Sequence, residues 1–144
     1  MNLPMNRVPC NICDSIEFGY GPGNRLSVTG VLPYCIKCGS LERHRAIRDL
    51  FNKLKDDSFK SSQVLQFRRD ISLDPLWFLR FEVSIYGGDN SLDLMKIERD
   101  DDLYDLVVCN HVLEHVQHDG AALIEMIRIV KPEGFLFLSF SDPE

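Results

Sequence analysis

Apolar residues fall into short runs along the second half of the chain, and each run is bounded by polar or turn-forming residues. The runs predict five strands, at 64–67, 82–87, 92–97, 105–110 and 135–140. Before the last strand, a helix is predicted over 117–130 because its apolar residues recur at helical spacing. The segment Lys131-Pro132-Glu133-Gly134 then ends this helix. Strands that alternate with helices favour a parallel sheet with crossover helices, so we expect an α/β fold.

The first part of the chain has a different pattern. Residues 1–40 are rich in Gly, Pro and Cys. A helix is predicted over 41–55, capped by Ser40, because apolar residues recur there at helical spacing. The polar stretch 55–62 is typical of a linker. We therefore expect three segments, namely a metal-binding module at 1–40, a connecting helix and linker at 41–62, and the sheet domain at 63–144.

Composition supports an ordinary globular protein. The chain has 144 residues, of which 44% are hydrophobic and 26% are charged. Its longest apolar runs are much shorter than the roughly 20 residues that a membrane-spanning helix needs. The start of the chain lacks the apolar stretch of a signal peptide. We expect a cytoplasmic protein with no membrane association.

Four of the five cysteines form two matched pairs in the first module. The pairs are Cys10 with Cys13 and Cys35 with Cys38, separated by Gly- and Pro-rich sequence. Two residues between paired cysteines allow one turn to direct both thiolates at a single ion, and two such turns complete a tetrahedral shell. Free thiols and two disulfides are the alternatives, and a reducing cytosol disfavours disulfides. The spacing predicts a structural Zn²⁺ in a zinc ribbon, and His44 is not needed as a ligand.

Positive charge is concentrated in the same part of the chain. Residues 1–55 contain eight Lys or Arg against four Asp or Glu, whereas the whole chain has a net charge of −6. Four thiolates around one Zn²⁺ would lower the local positive charge, so nucleic acid is an unlikely partner. The helix residues Arg43, Arg45 and Arg48 are interpreted as a solvated face, with an anion-binding patch as the alternative.

The second half contains two segments that carry a family resemblance. Residues 105–116, DLVVCNHVLEHV, and residues 131–138, KPEGFLFL, resemble the class I S-adenosylmethionine-dependent methyltransferases. Residues 38–45, CGSLERHR, are similar to the join between zinc module and helix in a subset of that family. The resemblance implies a Rossmann-like parallel sheet in the order 3-2-1-4-5. It also implies that S-adenosylmethionine binds at the carboxyl ends of the strands.

The resemblance also assigns roles to individual residues. Asp89 would hold the ribose hydroxyls, and Asp93 and Leu94 would lie beside the adenine. Asn110 and His111 would face the methionine part and the substrate, with His111 as the candidate base. Gln66 and Asp70, near the first strand, would contact the ligand. Cys109 lies within an apolar strand and is interpreted as a buried core thiol.

Two features depart from the family pattern. Residues 64–70, VLQFRRD, contain no glycine where a glycine-rich loop normally allows the cofactor to approach the backbone. The sequence also stops soon after the fifth strand, which would leave the apolar edge of 135–140 bare. Either a homodimer or a partner protein covers this edge, or the chain is a fragment or a reduced descendant. A methyltransferase and a catalytically inactive binding or regulatory protein therefore both remain open, and fold does not decide between them.

A second motif overlaps the end of the fourth predicted strand. His111, Glu114 and His115 fit the inverted zinc-protease pattern, in which two histidines and a glutamate share one helix face. The motif directly follows a strand, so the start of a helix with partly buried histidines is preferred to a catalytic metal site.

Overall fold

The computed structural model describes residues 8–140. Their internal contacts define two units. The first unit contains the described part of Met1–Lys55 together with Asp70–Asp74, and the second contains Asp56–Arg69 and the described part of Pro75–Glu144.

The first unit has little regular structure apart from one helix. Two-residue strands β1 (Phe18–Gly19) and β2 (Tyr34–Cys35) pair antiparallel, and helix α1 spans Glu42–Leu54. The helix agrees with the prediction to within one residue at each end. A core cluster of this unit consists of only four buried residues, namely Cys10, Phe18, Leu32 and Cys35. Leu41, Ile47, Phe51 and Leu73 of this unit are also buried.

Helix α1 begins differently from the prediction. Its N-cap is Leu41, and the backbone N–H of Leu41 donates to Nδ1 of His44 at 3.0 Å. The predicted cap Ser40 is completely buried, and its hydroxyl instead contacts the sulfurs of Cys10 and Cys38. His44 therefore has a local role at the helix start.

The interpretation of the α1 arginines as one solvated face is wrong for two of the three. Arg45 donates to the carbonyl of Ser40 at 2.7 Å and to that of Pro33 at 2.5 Å. Arg48 donates from Nε to the carbonyl of Ser72 at 2.8 Å and from Nη2 to that of Ile71 at 2.9 Å. Both guanidinium groups are half-buried and serve the first unit, and only Arg43 is exposed. Because Arg45 and Arg48 donate to backbone carbonyls, the alternative of an anion-binding patch loses two of its three cations.

The second unit contains a four-stranded parallel sheet. Strands β3 (Gln63–Phe67), β4 (Arg80–Ser84), β5 (Tyr104–Asn110) and β6 (Val130–Ser139) lie in the order β4-β3-β5-β6. Helix α2 spans Asp119–Ile129 and connects β5 to β6. The α/β class and the parallel sheet are confirmed, and the observed order matches positions 2-1-4-5 of the expected sheet. Neither helix is long and apolar enough to cross a membrane.

The strand predicted at 92–97 is absent from the described sheet. The carboxylate of Asp93 accepts the N–H of Met95 at 2.9 Å, and the Asp93 carbonyl accepts the N–H of Lys96 at 3.0 Å. This turn interrupts the extended backbone that a strand requires. Leu92 and Ile97 are nevertheless buried in the core, which explains why the segment has an apolar pattern.

One face of the sheet packs against α2 in the main hydrophobic core. Side chains alternate along each strand, so Leu65 and Phe67 of β3 lie on the same face as Val107 and Cys109 of β5. Ala122, Met126 and Ile129 of α2 are completely buried against this face. Burial raises the pKa of the Cys109 thiol to about 12, with the nearby Glu114 carboxylate contributing, so Cys109 is a core thiol as predicted.

Strand β6 begins five residues earlier than predicted and contains an irregularity. Its register with β5 shifts between Tyr104 and Leu106, next to Gly134. A Cβ atom at Gly134 would lie 2.8 Å from the carbonyl oxygen of Asp105, which is too close for any other residue type. Beyond the shift, β6 pairs with β5 alone among the described strands. Its outer edge is therefore unpaired there, and Phe135 is 73% exposed.

A charged network links β4 to the start of β5. Glu82 accepts hydrogen bonds from Arg99 Nη2 at 2.8 Å, Tyr104 Oη at 2.8 Å and Asn90 Nδ2 at 3.1 Å. Burial alone would raise the pKa of Glu82, but these three donors outweigh it and lower the pKa below its ordinary value. Burial and the bond to Glu82 raise the pKa of Tyr104 to about 12.

Candidate functional site

The four cysteines of the first unit converge on one point. The Sγ atoms of Cys10 and Cys38 are 3.7 Å apart, and those of Cys13 and Cys35 are 3.5 Å apart. All four sulfurs lie within 4.8 Å of one another. A tetrahedral Zn²⁺ with Zn–S bonds of about 2.3 Å requires sulfurs about 3.8 Å apart. The donor set and its spacing therefore fit a zinc ribbon.

Ser40 is a neighbour of this cluster that the sequence reasoning missed. Its hydroxyl lies 3.2 Å from Sγ of Cys38 and 3.5 Å from Sγ of Cys10. It also accepts a hydrogen bond from Arg45 Nη1 at 2.9 Å. Side chains that contact metal ligands fix the ligand orientation. The position of Ser40, two residues after Cys38, could have indicated a contact with the cysteine cluster. The same position directly before α1 indicated a helix cap instead.

A cleft lies at the carboxyl ends of the parallel strands in the second unit. It is lined by Phe67–Arg68, Ser84–Tyr86, Leu92–Met95, His111–Val112 and His115–Gln117. Its volume is about 520 Å³, which is within the range of small-molecule sites. Apolar side chains supply most of the exposed surface of the cleft, and six of its fourteen lining residues are polar or charged, namely Arg68, Ser84, Asp93, His111, His115 and Gln117. This combination is typical of a site that buries the body of a ligand and orients it through a few polar groups.

Three of the predicted site residues line the cleft. Asp93 and Leu94 lie in the turn that replaces the expected third strand, and His111 directly follows β5. One oxygen of Asp93 accepts the Met95 N–H, and the other has no hydrogen-bond partner within residues 8–140. His111 is held by its own backbone, because its N–H donates to the Ser139 carbonyl at 2.9 Å. Its side chain is 15% exposed.

The other predicted residues lie outside the cleft lining. Asn110 is buried, and its Oδ1 accepts the Ser139 hydroxyl at 2.8 Å, so it joins the ends of β5 and β6. Asp89 lies in an exposed turn after β4. The carboxylate of Asp70, in the first unit, accepts the N–H of Ser72 at 2.9 Å.

Gln66 is a special case among these residues. It is completely buried in β3, and neither atom of its amide has a hydrogen-bond partner in the part of the chain that the structure describes. Burying an amide without partners costs on the order of 1–3 kcal/mol, so native proteins normally satisfy such groups. The amide therefore needs a group outside the described side chains, such as a water molecule or a ligand.

The histidine and glutamate motif forms a short turn here. A single 3-10 turn, Leu113–His115, follows β5 in place of the longer helix start that was preferred. Glu114 Oε1 lies 3.9 Å from Nδ1 of His111 and 4.0 Å from Nε2 of His115. Among the described residues, the cysteine cluster is the one group of three or more ligand side chains close enough to hold a metal ion. The geometry does not indicate a metal site at His111 and His115.

Arg68 occupies the position where a glycine was expected. It directly follows β3, it lines the cleft, and its φ is +69°. This left-handed region favours glycine and costs other residues about 1–2 kcal/mol. His111, which directly follows the neighbouring strand β5, also has a positive φ of +54°. Strained backbone of this kind is concentrated at functional sites.

Sequence comparison supports the resemblance to methyltransferases. Residues 86–138 match the model of the methyltransferase domain family. This segment includes Tyr86, Leu92–Met95 and His111–Gln117, and thus most of the cleft lining. The resemblance to class I methyltransferases is therefore confirmed over this part of the chain. No curated protein sequence matches the chain significantly.

Two solved structures are similar to part of this chain. The [4+2]-cyclase SpnF has a TM-score of 0.48 and 16% identity over 78% of this chain and 53% of its own. The trans-methyltransferase CalH, solved as a complex with SAH, has a TM-score of 0.44 and 15% identity over 67% of this chain and 38% of its own. The chain thus spans about half of the length of SpnF and less of CalH.

Proposed function

Because residues 86–138 match the methyltransferase domain family, we propose that the cleft binds S-adenosylmethionine and that the protein is a methyltransferase. The observation that carries this proposal is that the matching segment supplies most of the cleft lining at the carboxyl ends of the strands. The cleft volume of about 520 Å³ and its mainly apolar lining suit a nucleoside-containing ligand. The acceptor is not specified by these features.

Different residues of the cleft would bind the ligand and transfer the proton. When bound, S-adenosylmethionine supplies an electrophilic methyl group on a sulfonium sulfur. Asp93 would accept hydrogen bonds from the ligand through its open oxygen, and Leu94 would lie beside the adenine. His111 would take the proton that the acceptor's O–H or N–H group loses, and the bound cofactor would supply the methyl group. The protein otherwise acts by holding donor and acceptor in line.

The remaining predicted residues contribute less directly in this proposal. Asn110 fixes the backbone that carries His111, through its bond to Ser139. The backbone carbonyl of Asp89 accepts the N–H of Ile85 at 3.0 Å and so holds the turn that precedes Asp93. Gln66 donates to or accepts from the ligand or a water molecule, which would satisfy its buried amide.

We also propose that the four cysteines hold one structural Zn²⁺. The support is the donor chemistry and the 3.5 Å and 3.7 Å sulfur separations. Four thiolates leave no open coordination position, so the ion stabilises the first unit and takes no part in catalysis. Cys10 and Cys35 belong to the buried cluster of this unit, so the ion would hold that cluster together.

A second function is favoured by one observation. Arg68 stands where close backbone approach to the cofactor normally requires glycine, and this favours a catalytically inactive protein that binds partners through a methyltransferase-like domain.

Calorimetric titration with S-adenosylmethionine and S-adenosylhomocysteine separates the two functions. A methyltransferase binds both ligands, and Asp93→Asn should weaken both about tenfold or more through loss of a charged acceptor. Asp100→Asn, an exposed change outside the cleft, is the matched control.

An absence of binding for both ligands at millimolar concentration would contradict the methyltransferase and leave the inactive binding protein as the function. Equal affinity of the parent and the Asp93→Asn variant would instead mean that the ligand lies elsewhere.

The partner proposed for this protein is a second copy that pairs along β6. Support comes from the unpaired β6 edge in the described sheet and from the exposure of Phe135. Unpaired apolar edges promote association, and a two-fold arrangement uses the same edge twice. A stable interface would bury on the order of 800 Å² per chain.

A further inference from the structure

Arg68 combines an unfavourable backbone conformation with a position inside the cleft. Its φ of +69° places a long side chain in a region that glycine occupies at lower cost. The backbone is held there by the Arg68 N–H, which donates to the Ser84 carbonyl at 2.9 Å. Arg68 therefore starts from the end of β3 and is tied to the end of β4.

The guanidinium of Arg68 reaches the backbone that directly follows β5. Its Nη1 donates to the carbonyl oxygen of His111 at 3.3 Å, which is longer than an ordinary N–H···O bond. Within residues 8–140 its guanidinium makes no other hydrogen bond. A guanidinium carries five N–H donors in a planar fork, so most of this capacity remains available beside His111.

Charge in the cleft is distributed between two residues. Among the lining side chains, Arg68 is the one permanent cation and Asp93 is the one carboxylate. They come from different elements, since Arg68 follows β3 and Asp93 lies in the turn after β4. A ligand that carries an anionic group at one end and hydroxyl or amine donors at the other would complement both.

We propose that Arg68 binds the carboxylate of the amino-acid part of the ligand and so determines which nucleoside ligands the cleft accepts. This inference rests on the proposed binding of S-adenosylmethionine. The planar fork of arginine matches a carboxylate with two parallel hydrogen bonds, and lysine cannot reproduce this geometry. The arginine thereby supplies a side-chain contact where the absent glycine loop would have supplied backbone contacts.

The test compares two ligands against matched variants by calorimetry. S-adenosylhomocysteine carries the carboxylate, and decarboxylated S-adenosylhomocysteine keeps the adenosine and the ammonium but lacks it. Arg68→Gln should weaken S-adenosylhomocysteine about tenfold to a hundredfold and change the decarboxylated ligand less than about twofold. Arg68→Lys should recover only part of the affinity for S-adenosylhomocysteine. Arg69→Gln, the exposed neighbour that does not line the cleft, should leave both affinities unchanged.

Each other result has a distinct meaning. If Arg68→Gln weakens both ligands equally or neither ligand, Arg68 does not bind the carboxylate, while the proposed cofactor site stands. Tighter binding of S-adenosylhomocysteine by Arg68→Gln would show that the arginine obstructs the site, and this also overturns the inference alone. Binding of neither ligand by the parent protein overturns both the inference and the proposed function.

Discussion

The guanidinium of Arg68 donates to the backbone carbonyl of His111 at 3.3 Å, and both residues have positive φ. They follow the neighbouring strands β3 and β5, so the hydrogen bond crosses the edge of the sheet at the cleft. Two non-glycine residues in left-handed conformations lie at this edge of the cleft, and such conformations are unfavourable. Strained backbone of this kind is typical of functional sites, where it fixes the positions of side chains.

The backbone conformation at Arg68 can be tested by two substitutions that both remove its side chain. Arg68→Gly should be more stable than Arg68→Ala by about 0.5–1 kcal/mol, because relief of the left-handed strain exceeds the entropic cost of glycine. Urea unfolding measures the difference. At Arg69, whose φ is not positive, alanine should be the more stable of the two. If the glycine and alanine variants have the same order of stability at both positions, the left-handed backbone of Arg68 is contradicted.

Metal content tests the cysteine cluster. The parent protein should contain one Zn²⁺ per chain by elemental analysis, and Cys35→Ser should lose the ion together with the order of the first unit. Cys109→Ala serves as the control because Cys109 is buried in the sheet core and belongs to no ligand cluster. Retention of zinc by Cys35→Ser with an unchanged melting temperature would exclude Cys35 as a ligand.

The hydrogen bonds of Arg48 should contribute strongly to stability. Arg48→Met removes a charged donor from the carbonyls of Ile71 and Ser72, and the unfolding free energy should fall by about 2–3 kcal/mol. Arg43→Met, on the exposed side of α1, should change it by less than about 0.5 kcal/mol. Equal effects in denaturant titrations would mean that the 70–74 segment does not depend on Arg48.

Acid should weaken the network around Glu82. Its pKa is lowered in the folded state, so the stabilisation is complete above the unfolded pKa and is lost as pH falls through the folded pKa. The stability difference between the parent and Glu82→Gln should therefore be constant above about pH 5.5 and shrink below about pH 4.5. Urea unfolding over a pH series measures this, with Glu133→Gln as an exposed control. A difference that grows toward acid would reverse the sign of the shift.

Association through β6 should depend on Phe135. Phe135→Lys places a charge on the exposed edge strand and should convert a dimer to a monomer in sedimentation experiments at tens of micromolar. Ile124→Lys, an equally apolar and exposed change on α2, is the control and should leave the dimer intact. A monomeric parent, or a dimer that both variants retain, would contradict pairing along β6.

Local apolar patterns were sufficient to locate most regular elements. Strands β3 and β5 and helix α2 lie within two residues of their predicted ends, because continuous apolar runs and helical spacing are properties of neighbouring residues. The prediction of a strand at 92–97 was wrong. Leu92 and Ile97 are buried in the core, as the apolar pattern indicates, but the turn at Asp93 separates them and the segment does not pair with the sheet.

The roles of the arginines could not be predicted in this way. Arg48 bonds to carbonyls 23 and 24 residues further along the chain, and nothing in the α1 sequence indicates those partners. Arg68 adopts a backbone conformation that its residue type disfavours, so local propensity pointed away from the observed structure. Sequence patterns report burial well, but they carry little information about where a long polar side chain finds its partner.

The division of the first unit into two stretches of sequence has a consequence for synthesis. Residues 70–74 complete this unit, yet the ribosome makes them only after β3. The carbonyl groups that accept the hydrogen bonds of Arg48 are synthesised only at that point. During translation, the first unit therefore lacks these hydrogen bonds until β3 has been made. A polypeptide that ends at Lys55 would therefore lack residues 70–74 of its own folding unit.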